Sequence, residues 1–345
     1  MELSEVNQLL PFLLRRENVA RYESGQVIMC DRRKYPFERT FVECKDVESA
    51  AQAIENMVTQ GGGPQYVALY SMAMLAGQVE NQSSAAQKSA FTEAQKRLVA
   101  TRPTNTSMAR HLESAMKIIH RALDEGENVE TKLINWIEDI RDKSYEKHIT
   151  CGELGASLIE DGDGVLTMCF AETSFLLTLA FAKKAGKNIH VFTPETRPYL
   201  QGARLTAPSV HEIGVPVTII SDNMPTHVIS QGKVQKYMTA ADLVTLDGHV
   251  VNKIGTFQNV LAANHHGVPY FVFTQAADKN KPDRASIQIE ERDPQEIKMC
   301  RGVQTTSQEI DAYYPAFDIT PPHLVAGVIT QYGILSSYDL TRYFG

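Results

Sequence analysis

The 345-residue chain is long enough for two domains, and 43% hydrophobic with 22% charged residues is ordinary for a globular protein. A net charge of −7 without a basic stripe argues against nucleic acid as the main partner. No run approaches about 18 apolar residues, no secretory cleavage site follows the start, and five dispersed cysteines without CxxC spacing suit the reducing cytoplasm.

In chain order, residues 1–145 read as a mostly helical N-terminal domain. Short strand-like entries at 26–29 and 39–42 precede helical spacing over 47–57 and 64–77, with the break Gly61-Gly62-Gly63 between those helices. Polar helices follow over 85–100 and 107–141, interrupted near Gly126. From Gly164 the pattern alternates β and α, which predicts a Rossmann-like parallel-sheet domain over 146–345 and an α/β fold class overall. Strands are predicted at 165–169, 189–193, 217–221, 243–246 and 270–274, and helices at 174–185, 199–213, 225–232 and 256–266. The charged stretch 278–284 reads as a surface loop.

Parallel α/β sheets bind ligands beyond the carboxyl ends of their strands. The first predicted strand ends in Cys169, and the second leads into 195–206, which carries Glu195, Arg197, Gln201 and Arg204. The third ends at Asp222, and the fourth leads to Asp247 and then to Asn252-Lys253-Ile254-Gly255-Thr256. Two arginines near a helix start suit an anion, of which phosphate is the commonest. Singly, each residue has a plainer reading: a buried small thiol, a helix N-cap, a solvated lysine. Together, polar chemistry on four strand-end loops is what a ligand site at that edge requires. There is no GxGxxG after a strand, no P-loop, no GxSxG and no HExxH, and adjacent His265 and His266 fall on different helix faces.

The strings 31–36, 61–64, Thr101-Arg102-Pro103-Thr104, 165–169, 195–206, 220–224, 251–256, 289–292 and 315–321 occur in an order that resembles the methylthioribose-1-phosphate isomerase family. Its wider superfamily includes ribose-1,5-bisphosphate isomerases and the α, β and δ regulatory subunits of initiation factor 2B. The resemblance implies a cytoplasmic aldose–ketose isomerase that takes a furanose sugar 1-phosphate to the ketose 1-phosphate. By position, Cys169 and Asp222 become the acid/base pair. Phosphate contacts fall on Gly61, Gly62, Gly63, Arg102, Gln201, Asn252 and Lys253. It further implies no metal or organic cofactor, no nucleic-acid or membrane partner, and a homodimer to which the apolar segment 324–334 contributes.

Three departures accompany the resemblance. The family's Arg-Gly-Ala-Pro phosphate loop is Gln60-Gly61-Gly62-Gly63-Pro64 here, without the arginine. Its Thr-His-Cys-Asn-Thr-Gly is Thr167-Met168-Cys169-Phe170-Ala171-Glu172, and its asparagine after the Arg102 motif is Ser107. These changes leave an alternative reading, a non-catalytic sugar-phosphate or nucleotide-binding regulator like the initiation-factor subunits.

Overall fold

The computed structural model describes residues 2–102 and 106–345, so Pro103 and Thr104 of the Arg102 motif lie outside the described residues. The chain forms two compact units, Phe12–Tyr145 and Met1–Pro11 with Glu146–Gly345. No helix among the described residues is long and apolar enough to cross a membrane.

The first unit sets a small antiparallel sheet, β1 (Arg21–Glu23), β2 (Gln26–Cys30) and β3 (Phe41–Cys44), beside a group of helices. Its central helix, Gly63–Val79, is apolar on every side and buries Val67, Leu69 and Met72 completely. The helix Thr106–Glu125 is amphipathic instead, and turns Met108, Leu112, Ala115, Ile119 and Ala122 inward at helical spacing.

The second unit carries β4 (Gly164–Leu166), β5 (His190–Pro194), β6 (Val217–Ile220), β7 (Lys236–Ala240), β8 (Leu243–Val244), β9 (Val250–Lys253), β10 (Tyr270–Phe273), β11 (Met299–Cys300), β12 (Val303–Gln304), β13 (Phe317–Thr320), β14 (Gly327–Thr330) and β15 (Gly333–Leu335). Seven strands make one sheet in the order β15-β14-β10-β7-β4-β5-β6. All its pairings are parallel except the β14–β15 edge hairpin. From β4 the chain steps outward through β5 and β6, then returns to β7 on the other side of β4. The strand order therefore reverses between β4 and β7, and open α/β sheets place their crevice at such a switch point.

The structure corrects two expectations. The strand that follows β6 in the parallel sheet is Lys236–Ala240, whereas Leu243–Val244 pairs antiparallel with β9 in a separate sheet. Residues 199–213 are not one α-helix but a π-turn segment, Gly202–Thr206, followed by the helix Ala207–Glu212. Of segment 324–334, β14 lies between β10 and β15 with Val328 and Ile329 fully buried, whereas Tyr332 and Ile334 at the edge hairpin are exposed.

Candidate active site

The loop after β4 carries Cys169 in the left-handed region, φ 60°. Thr196 and Leu200 in the loop after β5 have φ 64° each. For a β-branched residue such as Thr196 this conformation is strained, and clusters of such strain mark functional loops. The two loops are stitched together. The Cys169 N–H donates to Thr196 Oγ1 at 3.2 Å, and the Thr206 hydroxyl donates to the Cys169 carbonyl. Gly202 begins the π-turn segment because a Cβ there would stand 1.8 Å from the Pro194 carbonyl oxygen at the end of β5. That close approach brings Gln201 to the strand end, 3% exposed, with its Oε1 buried and unpartnered.

Lys253 ends β9 and is 3% exposed, an unusual setting for an ammonium. Its Nζ lies 4.8 Å from the Phe317 ring centroid and 6.0 Å from that of Tyr314. Cation–π attraction of this kind offsets only part of the desolvation. No carboxylate lies within ion-pair distance of it among the described residues, and burial holds its pKa below the ordinary lysine value. Asn252, 5% exposed, donates from Nδ2 to Thr256 Oγ1, and that hydroxyl donates to the Lys253 carbonyl, fixing the turn.

Burial pushes the Cys169 thiol up to about 11; of the charges that act on it, Lys253 counts most and lowers it, and Asp242 counts next and raises it. The thiol is therefore neutral at physiological pH. Iodoacetamide should alkylate Cys169 at a rate that climbs through about pH 11, read by mass spectrometry; an inflection below pH 9 would contradict this environment.

Asp222 has a different setting from the one expected of an acid/base partner for the thiol. Its Oδ1 accepts the Thr196 N–H at 2.7 Å and its Oδ2 accepts the Arg197 N–H at 2.6 Å. The Arg197 guanidinium in turn donates to the carbonyls of Ile297 and Met299 at 3.1 and 3.0 Å. Asp222 thus anchors the strained loop, and it opens on a cleft of about 750 Å³ whose wall contains neither Cys169 nor Lys253. A carboxylate at the switch point is Asp242, two residues beyond β7, which sequence reasoning missed. Its signal was present: correct placement of β7 makes Asp242 a strand-end acid like Asp222.

Gly61, Gly62, Gly63 and Arg102 belong to the first unit. Gly62 caps the helix Gly63–Val79, whose dipole favours an anion at this end, although the Gly63 N–H already donates to the Gln60 carbonyl. Just before them, Gln60 is buried with its Nε2 unpartnered, and Thr59 Oγ1 is likewise unpartnered. Arg102 is half-buried and donates to Met57 Sδ.

Comparison with known proteins agrees with this architecture. Residues 64–337 match the initiation factor 2 subunit family. Among curated relatives, the methylthioribose-1-phosphate isomerase of Caldicellulosiruptor saccharolyticus is 34% identical over 91% of this chain and 94% of its own length. That of Fervidobacterium nodosum is 35% identical over 91% and 93%. Among solved structures, 5-methylthioribose 1-phosphate isomerase from Pyrococcus horikoshii OT3 superposes with a TM-score of 0.88 at 28% identity, covering 99% of this chain and 98% of that one. The delta subunit of translation initiation factor eIF-2B from A. fulgidus gives 0.81 at 31% identity, over 92% and 96%. The chain belongs to the initiation factor 2 subunit family and, within it, groups with the methylthioribose-1-phosphate isomerases.

Proposed function

We propose that this protein is an aldose–ketose isomerase acting on a furanose sugar 1-phosphate, with methylthioribose 1-phosphate, the substrate its relatives are named for, as the first candidate. The observation that carries the reading is a neutral thiol on a strained strand-end loop, within the field of a buried ammonium that has no carboxylate within ion-pair distance among the described residues. A dianion that approaches Lys253 would pair directly with a buried charge on which Asp242 and Glu290 act only from beyond ion-pair distance, which is a driving force for phosphate binding.

The reaction has three requirements. A proton must reach the ring oxygen as the C1–O bond breaks. The C2 hydrogen must end on C1. The C2 hydroxyl must give up its proton as the carbonyl forms. A protonated thiol and an ionised carboxylate make a matched donor and acceptor for the two oxygen-centred steps. Cys169 supplies the first. For the second, the switch-point position and its effect on Cys169 favour Asp242 over Asp222. Asp222 then serves as a positioning residue for the 195–201 loop that bears Gln201.

The second reading, a non-catalytic regulator that binds a sugar phosphate or nucleotide, is favoured by one feature: the arginine that the resemblance leads one to expect before Pro64 is missing from Gln60-Gly61-Gly62-Gly63 on either possible alignment. Charge-assisted hydrogen bonds contribute about 1.5–3 kcal/mol each, so the loss weakens phosphate binding unless the glycine-loop amides and the Gln60 amide replace it. A panel of aldose 1-phosphates assayed with wild type separates the two. Ketose formation from at least one supports the isomerase, whereas a ligand that raises the melting temperature and returns chemically unchanged supports the regulator.

A further inference from the structure

Asp318 lies on β13, opposite Asn252 in the antiparallel register with β9. Its side chain reaches over the end of β9 to the turn that follows. The Gly255 N–H donates to Asp318 Oδ2 at 2.7 Å, and the Phe257 N–H lies 3.1 Å from both carboxylate oxygens. The helix Thr256–His265 has no cap of its own, because its N-cap is Gly255, held at φ 97°. Asp318 therefore caps this helix from another strand, an arrangement that completes two orphan donors and opposes the positive end of the dipole.

The capped turn is the one that presents Lys253. On its inner side it is tied by the Thr256 hydroxyl to the Lys253 carbonyl at 2.7 Å, and on its outer side by Asp318. Asp318 shares β13 with Phe317, the ring over which the Lys253 ammonium rests, so one strand sets both the backbone and the head of the lysine. Burial pushes the Asp318 carboxyl up to about 6, with the backbone N–H bonds and then Lys253 pulling it down.

We propose that Asp318 is a positioning residue for anion recognition: by clamping the 253–257 turn across the β9–β13 pair, it holds the Lys253 ammonium where the phosphate of the substrate binds. The inference rests on the reading of Lys253 as the phosphate counter-charge. It adds a residue that touches no substrate but fixes the one that does.

The test is a double-mutant cycle on anion affinity, with sulfate as the probe because its charge is constant across the working pH range. Calorimetric titration at pH 7.5 compares wild type, Asp318→Asn, Lys253→Met and the double variant, with melting temperature as the folding control. The carboxamide keeps one acceptor oxygen but cannot satisfy both N–H groups. Sulfate affinity should fall about tenfold in Asp318→Asn, and the double variant should bind no more weakly than Lys253→Met alone, because the clamp acts only through the lysine. If Asp318→Asn fails to fold, Asp318→Ser, which retains a short capping acceptor, takes its place with the same expectation. Unchanged sulfate affinity in the folded Asp318 variant, or losses that simply add, overturns the proposal. If wild type binds no sulfate, or Lys253→Met binds it as wild type does, the reading of Lys253 itself fails, a distinguishable result. With an active substrate, Asp318→Asn should raise KM while kcat stays within about threefold, a split that general loss of structure would not produce.

Discussion

Cys169→Ser is expected to lower kcat about a thousandfold, with KM within about threefold of wild type and little change in melting temperature. A thiol that acts in acid/base transfer contributes in the range of 10²–10⁴ to the rate, and serine, nearly isosteric but far less acidic, forfeits most of that. The small effect on KM follows from the site's layout, in which phosphate recognition is assigned to Lys253, Asn252 and Gln201. Steady-state kinetics with a sugar 1-phosphate checks the expectation. A tenfold loss or less would remove Cys169 from the chemistry, however strained its backbone.

The second large effect separates two aspartates that sequence reasoning could not. Asp242→Asn is expected to reduce kcat by about 10²–10⁴, because the amide cannot accept a proton. Asp222→Asn should act differently. Its single remaining acceptor oxygen can hold only one of the Thr196 and Arg197 N–H groups, so the loop loosens at a cost of about 1–3 kcal/mol in stability. Turnover then falls about tenfold, chiefly through substrate affinity as Gln201 loses its place. Thermal melts and kinetics of both variants decide it. If Asp222→Asn abolished turnover at wild-type stability while Asp242→Asn remained active, the roles assigned to the two acids would be reversed.

The misplacement of β7 has a traceable physical origin. Strands β5 and β10 were legible because they are apolar runs sealed by neighbours on both sides, and β6 because Val217-Thr218-Ile219-Ile220 is rich in β-branched residues. β7 was not legible. Its sequence, Lys236-Tyr237-Met238-Thr239-Ala240, mixes a charged end with weak strand formers, and the more apolar Leu243-Val244 nearby drew the assignment. Moving one strand by seven residues changed the strand-end acid from Asp242 to Asp247, which in the structure bonds Thr245 and His249.

Contacts that depend on non-local pairing were invisible for a different reason. Nothing in 315–321 announces that Asp318 will cap a helix that starts at Thr256, since that requires the β9–β13 register. The burial of Lys253 was equally hidden, because lysine is solvated by default and the rings of Phe317 and Tyr314 that face it come from a distant part of the chain. By contrast, the strand-end positions of Cys169, Gln201 and the Asn252-Lys253 pair could be read from their motifs. They lie on or beside turns whose glycines and strained residues leave a local signature, Gly202 against Pro194 and Gly255 at positive φ.

The central claim, isomerase rather than binding protein, is tested most directly by incubating the wild-type protein with methylthioribose 1-phosphate enriched in ¹³C at C2 and following that carbon by NMR. The account predicts that the C2 signal moves from the alcohol to the ketone region with multiple turnovers per protein chain, and that Cys169→Ser suppresses the change. A C2 signal that stays in the alcohol region, in a sample where the same compound raises the protein's melting temperature, would contradict catalysis and leave a sugar-phosphate-binding regulator.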